Sequence, residues 1–391
     1  MKLSRIIGVA SLFLPALAWA VYAPIPEQEQ GKALTITVEG NVYSDSNVFG
    51  APTSEIDSMV YSVAPKLSFN SSVTDQTFFS ASYRLELDSF SDRPGDQTLD
   101  SHDLSVRLAH GFSKVTNIDL TESYAVEKNP ESLLAGITLN TDQSFKRNQF
   151  DGRLTTAAGE KTGLVFKYRN LDINYDNANL AQSLDRMEQL FGLELNHKFL
   201  PETTGVGEYR YQAIDYRHAG GTKDKQSNFF LGGLDYAPDP KRSFSGRAGL
   251  EDRKREGEAN TQAPYLEFSG KYSYTDKSFV TGGYVYTLEE SSDTTRFTDS
   301  KVNRFFVNVQ HEVTPMLVAS GSLTVQPSIL QARRGGVDVD ETTTRFGFAL
   351  TYFGRKNFTV TASYDYDNVN SDAPNREQKR TRFGVSGRFY F

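Results

Sequence analysis

The side chains that could support chemistry in this chain are five histidines and many charged residues; it contains no cysteine. Zero cysteines exclude disulfides, thiolate catalysis and cysteine-based metal sites. No histidine belongs to an HExxH stretch, a nucleophile elbow or a Walker-type phosphate-binding loop. We therefore predict no catalytic residue, no metal site and no cofactor, and we predict that the protein is not an enzyme.

The histidines instead fit a structural role at a boundary. His110, His197 and His311 follow the apolar phase of their segments and come shortly before those segments end. This placement predicts a position at the level of lipid head groups. His102 and His218 lie at or near predicted loops.

The charged residues are positioned by segments in which polar and apolar residues alternate. Residues 77–90 show the pattern clearly, since Phe79, Ala81, Tyr83, Leu85 and Leu87 alternate with polar or charged residues. Such a period of two predicts a β-strand with one apolar and one polar face. Past residue 20, no run approaches the roughly 18 apolar residues that a membrane helix needs.

Eighteen such segments can be counted, and their connections alternate between short turns and longer polar stretches. A hydrophobic fraction of 38% would suit a soluble all-β protein, but barrel strands carry their lipid face in every second residue only. The alternating connection lengths favour the barrel over a soluble β-helix or a chain of sandwiches. We predict an all-β fold, a transmembrane antiparallel β-barrel of about 18 strands, with both termini in the periplasm.

If the apolar phase faces lipid, the opposite phase lines the lumen. Both signs of charge occur there, so the lumen is predicted to be wet or laced with ion pairs. For any single residue, bracing the wall is an alternative to binding a solute. The candidate lumen-lining residues are Arg84, Glu86, Arg107, Arg153, Lys167, Arg169, Arg210, Arg247, Glu267, Arg304, Arg345, Arg382 and Arg388.

The amino terminus has the features of a secretory signal. Lys2 and Arg5 precede an apolar run, and Ala18-Trp19-Ala20 offers small residues for cleavage. We predict a signal peptide at 1–20, a short periplasmic segment at 21–32 and an outer-membrane barrel at 33–391. Loss of Lys2 and Arg5 leaves 40 basic against 49 acidic residues, a net charge of −9, which argues against a nucleic-acid partner.

The carboxyl terminus resembles the signal by which outer-membrane barrels are recognised for insertion. Residues 381–391 alternate between an apolar and a polar face and end on Phe389 and Phe391. This resemblance implies outer-membrane lipid and the barrel-assembly machinery as partners, and the outer membrane of a Gram-negative bacterium as the location.

A second resemblance involves the amino-terminal strands. Residues 40–49 (GNVYSDSNVF), 60–69 with Pro65 in a Val-x-Pro-x-Leu core, and 77–90 resemble the beta-barrel porin 2 family, although the spacing of Tyr43 and Asp45 is one residue looser. Relatives are often associated with exopolysaccharide operons, which implies surface or capsular polysaccharide as a partner. The resemblance implies a porin-like channel for export or passage of a saccharide.

Two other functions stay open: a general nutrient porin, and a structural or adhesive barrel that binds surface polymer without conducting. The stretch 128–144 bears on both, because it contains Leu133, Leu134, Ile137 and Leu139. Apolar residues in so long a loop predict burial, either inside the lumen as a constriction or among other surface loops.

Overall fold

The alternating segments form one closed β-sheet. A computed structural model of the chain describes residues 32–137, 140–218, 223–333, 335–355 and 357–391. The predicted signal peptide 1–20 and residues 21–31 lie outside this part. The strands are β1 Leu34–Asp45, β2 Ser58–Thr74, β3 Thr77–Phe90, β4 Thr98–Gly111, β5 Asn117–Glu127, β6 Phe145–Ala157, β7 Thr162–Tyr175, β8 Arg186–Leu200, β9 Thr203–Tyr216, β10 Lys225–Asp239, β11 Arg242–Arg255, β12 Thr261–Ser273, β13 Phe279–Glu289, β14 Phe297–Thr314, β15 Leu317–Ala332, β16 Val339–Arg355, β17 Phe358–Ser371 and β18 Gln378–Tyr390.

Each strand pairs antiparallel with its neighbours in sequence, and β1 pairs with β18 to close the sheet. The closing register sets Gly40 opposite Gly387 and Val42 opposite Val385. Closure removes both sheet edges, so the strands' backbone groups can pair within the barrel. The prediction of an 18-stranded antiparallel barrel is confirmed.

Connection lengths differ between the two ends of the barrel. Short turns such as 75–76, 201–202 and 240–241 lie at the end that also holds Leu34 and Phe391. Longer connections at the other end include 46–57, 128–144 and 290–296. The connection between β7 and β8 contains a short helix, α1 (Ala178–Leu184), which alternation did not predict.

The distribution of apolar and charged side chains is the reverse of that in a soluble protein. On β18, Phe383 and Phe389 face outward and are 57% and 49% exposed, whereas Arg380 is 2% exposed. The largest fully buried side chains of the described residues include Arg253, Arg376, Arg380 and Glu251. An apolar exterior around a charged interior is stable in a bilayer and not in water.

Candidate functional site: the lumen and its constriction

The interior contains a cavity of about 1100 Å³ that strands from all sides of the barrel line. Its charged lining is balanced in number and contains arginine but no lysine. The eleven arginines are Arg84, Arg147, Arg169, Arg186, Arg210, Arg253, Arg304, Arg345, Arg376, Arg382 and Arg388. The eleven acidic residues are Glu39, Glu86, Asp88, Asp103, Glu127, Glu131, Glu188, Glu289, Glu290, Glu341 and Asp365.

Eight of the thirteen predicted lumen residues line this cavity: Arg84, Glu86, Arg169, Arg210, Arg304, Arg345, Arg382 and Arg388. The other five lie on the inward phase of their strands but away from the cavity: Arg107, Arg153, Lys167, Arg247 and Glu267. Most are engaged with neighbours. Lys167 Nζ lies 2.6 Å from Glu194 and 2.9 Å from Glu208, Arg107 pairs with Asp119 and Arg247 with Asp235.

The connection 128–144 folds into the barrel. Leu133 and Ala135 are buried, and both line the cavity. Gln378 Nε2 on β18 donates to the Leu133 carbonyl at 3.2 Å, and Asn129 Nδ2 donates to the Tyr43 hydroxyl of β1 at 3.0 Å. Its buried residues line the cavity, as expected for a constriction, and the loop also packs against another loop, because Gln143 Nε2 donates to the Phe49 carbonyl at 3.0 Å. Leu139 lies outside the described residues.

Arg380 holds the beginning of this constriction loop against the wall. Its guanidinium makes a bidentate ion pair with Asp45, with contacts of 2.6 and 3.1 Å. It also donates to the Pro130 carbonyl at 2.9 Å and to the Glu131 carbonyl at 3.3 Å. Arg380 and Asp45 are 2% and 0% exposed. One buried arginine thus links β1 and β18, the two strands that close the barrel, to the loop.

A second loop, residues 290–296 between β13 and β14, meets the first across the lumen. Ser292 Oγ donates to the Ala135 carbonyl at 3.1 Å, and Arg376 Nη2 donates to Ser292 Oγ at 3.0 Å. Arg376 is itself held by Glu341 at 2.7 Å. Gly136 has a φ of 79°, and a Cβ there would lie 2.7 Å from Arg376 Nη1, so this approach favours glycine.

Buried ion pairs brace the second loop. Lys225 Nζ lies 2.8 Å from Glu290 and 3.0 Å from Asp299. Arg253 contacts Asp299 at 2.6 Å and Glu251 at 2.8 Å. Because buried charges need partners, this network ties β10, β11 and β14 to the loop.

The pKa of the Glu290 carboxyl predicts how the stability of the protein depends on pH. Burial alone would raise its pKa, but Lys225 and Arg253 lower it to about 2. A depressed folded pKa stabilises the protein above the unfolded value of 4.5, and this stability is lost as the pH falls through 2. We expect the free energy of unfolding to drop by a few kcal/mol between about pH 5 and pH 2, measured by urea titration in micelles.

Glu290→Gln should flatten that part of the pH profile. The control variant Asp92→Asn, which removes an exposed carboxylate, should keep the pH profile of wild type. An unchanged slope in Glu290→Gln would show that Glu290 does not carry the effect.

Three histidines, His110, His197 and His311, lie near the short-turn ends of their strands, as predicted. His110 and His197 bond through Nδ1 to Thr77 at 2.8 Å and Thr162 at 2.9 Å, at the short-turn end. His311 bonds to the Tyr274 hydroxyl at 2.9 Å. Within the described residues, no group of three or more histidine, aspartate or glutamate side chains could hold a metal ion. The absence of catalytic and metal residues stays a prediction.

Sequence reasoning missed several residues of the constriction: Arg147, Arg186, Arg253, Arg376, Arg380, Glu39 and Glu290. A signal existed for some of them, because Arg380 shares the phase of Arg382 and Arg388, and Arg253 that of Arg247. Arg376 and Glu290 lie in connections, where alternation carries no information.

A closed 18-stranded antiparallel barrel with an apolar exterior and a charged lumen is a transmembrane β-barrel of the outer-membrane type. The protein therefore resides in the outer membrane of a Gram-negative bacterium. Among the described residues, no helix is both long and apolar enough to cross a bilayer.

Solved structures with a similar course of the chain include OpdQ of Pseudomonas aeruginosa, at 10% identity, covering 92% of this chain and 100% of that one with a TM-score of 0.49. OccAB4 of Acinetobacter baumannii is 11% identical over 92% of this chain and 98% of its own, with a TM-score of 0.47. The ferric-catecholate import receptor Fiu of E. coli K12 is 9% identical, over 93% and 82%, with a TM-score of 0.43. No family model and no curated protein matches the chain.

Proposed function

We propose that the protein is a passive outer-membrane channel for small polar solutes, narrowed by two loops that fold into its lumen. The observation that carries this proposal is the contact between Ser292 and Ala135 across a cavity lined by charged residues. Eighteen strands enclose a lumen wide enough for water. A charged lining keeps such a space hydrated.

The lining favours weak ion selectivity. Eleven arginines and eleven acidic residues line the cavity together, and opposite charges largely cancel beyond the roughly 8 Å screening length of physiological salt. A strongly selective pore would need one sign to dominate.

The nature of the solute stays a prediction. Passage or export of a polysaccharide was implied only by the resemblance to the beta-barrel porin 2 family, and a polymer would need both loops displaced. General uptake of small nutrients fits the same lumen without that displacement. A partnership with surface polysaccharide, the assembly machinery's use of Phe389 and Phe391, and the signal peptide likewise remain predictions.

The channel proposal is tested by conductance of the purified barrel in planar bilayers. Arg147 and Arg382 line the cavity, and replacing both leaves nine arginines against eleven acidic residues in the lining. We expect wild type to conduct with a reversal potential near zero in a salt gradient. The double variant Arg147→Gln/Arg382→Gln should fold normally and shift towards cation preference.

A matched control is Lys254→Gln, which removes a positive charge from the outward phase of β11, near the end of the strand. It should leave the reversal potential unchanged. A folded barrel that never conducts would support the non-conducting structural or adhesive alternative instead.

A further inference from the structure

The outward surface carries a carboxyl group that the fold does not explain. Glu122 is the sixth of the eleven residues of β5. Asp119 faces inward, because it pairs with Arg107 on the lumen side. Alternation then turns Leu120, Glu122 and Tyr124 outward, and Tyr124 is indeed exposed. Glu122 therefore lies halfway along the lipid-facing side of its strand.

The surroundings of Glu122 are apolar. Its neighbours across the sheet are Val106 on β4 and Phe150 on β6. Leu120 and Tyr124 flank it on the same face, and the Tyr124 hydroxyl is the only titratable group among these four neighbours. No hydrogen bond or ion pair to the Glu122 side chain occurs within the described part of the chain.

Other outward-facing polar groups nearby lie towards strand ends. His102 and its partner Asp100 lie towards the start of β4. Lys146 is the second residue of β6 and contacts Asp176 of a loop. These groups reach the head-group region, whereas Glu122 does not. An ionisable side chain in the hydrocarbon region is costly, and such residues usually have a polar partner.

We propose that the outer face of β4–β6 is a homodimer interface in which Glu122 meets Glu122 of a second copy. A two-fold axis along the membrane normal brings equivalent residues together at equal depth. The outward-facing basic residues of the described strands, such as Lys146, Lys254 and Lys379, lie near strand ends. A cationic partner at the depth of Glu122 is thus missing from those strands.

Two protonated carboxyl groups satisfy each other without a cation. Each donates its hydroxyl to the other's carbonyl oxygen, so the pair is neutral and every polar atom is bonded. Interfaces within lipid gain little from apolar contact, because lipid tails are equally apolar, and polar contacts between the partners therefore matter more.

The absence of native cysteine makes crosslinking a direct test. Glu122→Cys, oxidised in isolated outer membranes, should give a covalent dimer as the main product. Val307→Cys, which is outward and 44% exposed on the distant strand β14, should stay monomeric. Equal, low crosslinking of both variants would overturn the proposal.

The carboxyl's own contribution is tested with two substitutions. Glu122→Gln retains donor and acceptor and should keep the dimer in lipid nanodiscs. Glu122→Leu should lower the association constant about tenfold, the equivalent of one such hydrogen-bonded contact. Heat-modifiable migration on gels confirms that each barrel is folded, and a Leu variant with the association constant of wild type would contradict the assigned role. Because Glu122 is outside the lumen, monomers should conduct like wild type.

Discussion

Deletion of residues 132–137 is expected to raise single-channel conductance several-fold. These residues include Leu133 and Ala135, which are buried inside the barrel and line its cavity. They also include the carbonyl that accepts from Ser292 of the opposite loop. Their removal takes away the crossing point of the two loops, so the limiting cross-section widens while the strands stay paired. Planar-bilayer recording of the purified barrel measures the effect.

The matched control alters a loop at the same end of the barrel that does not line the cavity. Residues 256–260 between β11 and β12 meet this condition. Their replacement by glycine and serine should leave conductance unchanged. If both variants conduct like wild type, the constriction loop does not limit the conductance of the pore.

Replacement of Arg380 by methionine is expected to cost about 3–5 kcal/mol of unfolding free energy. Arg380 and Asp45 are buried, and the substitution leaves the Asp45 carboxylate without its cation. The loop also loses the donors to the Pro130 and Glu131 carbonyls. Urea unfolding in micelles measures the stability, and protease cleavage within 128–144 measures the release of the loop.

Two variants make this result specific. Asp45→Asn combined with Arg380→Met removes the orphaned charge and should recover part of the lost stability, because most of the cost is the unpaired carboxylate. Arg242→Gln removes an exposed pair with Asp239 at a short turn and should leave the unfolding midpoint unchanged. Equal losses for Arg380→Met and Arg242→Gln would show that burial does not set the value of the pair.

The conductance and stability experiments separate two roles of the same residues. If Arg380→Met both destabilises the barrel and raises conductance, Arg380 acts as a support for the constriction. A loss of stability at constant conductance would mean that the loop holds its place through its other contacts, which include those with Gln378, Tyr43 and Ser292.

The sequence by itself determined the barrel. One face of each strand contacts lipid and the other contacts water, so apolar and polar residues alternate along the sequence. On β18, Phe383, Val385 and Phe389 show this alternation. The same phase assigned Arg382 and Arg388 to the lumen before any contact was known. Connection lengths alone predicted which end of the barrel carries the loops.

Only the tertiary structure decided what the lumen contains. The partners of Arg380 lie in two separate parts of the chain, at Asp45 and at residues 129–131, and no local period links them. Whether 128–144 folded inward or over the surface depended on Gln378 and Ser292, which lie far away in sequence. Alternation reports which face a residue occupies; closure of the sheet brings distant residues together, and their packing selects which of them pair.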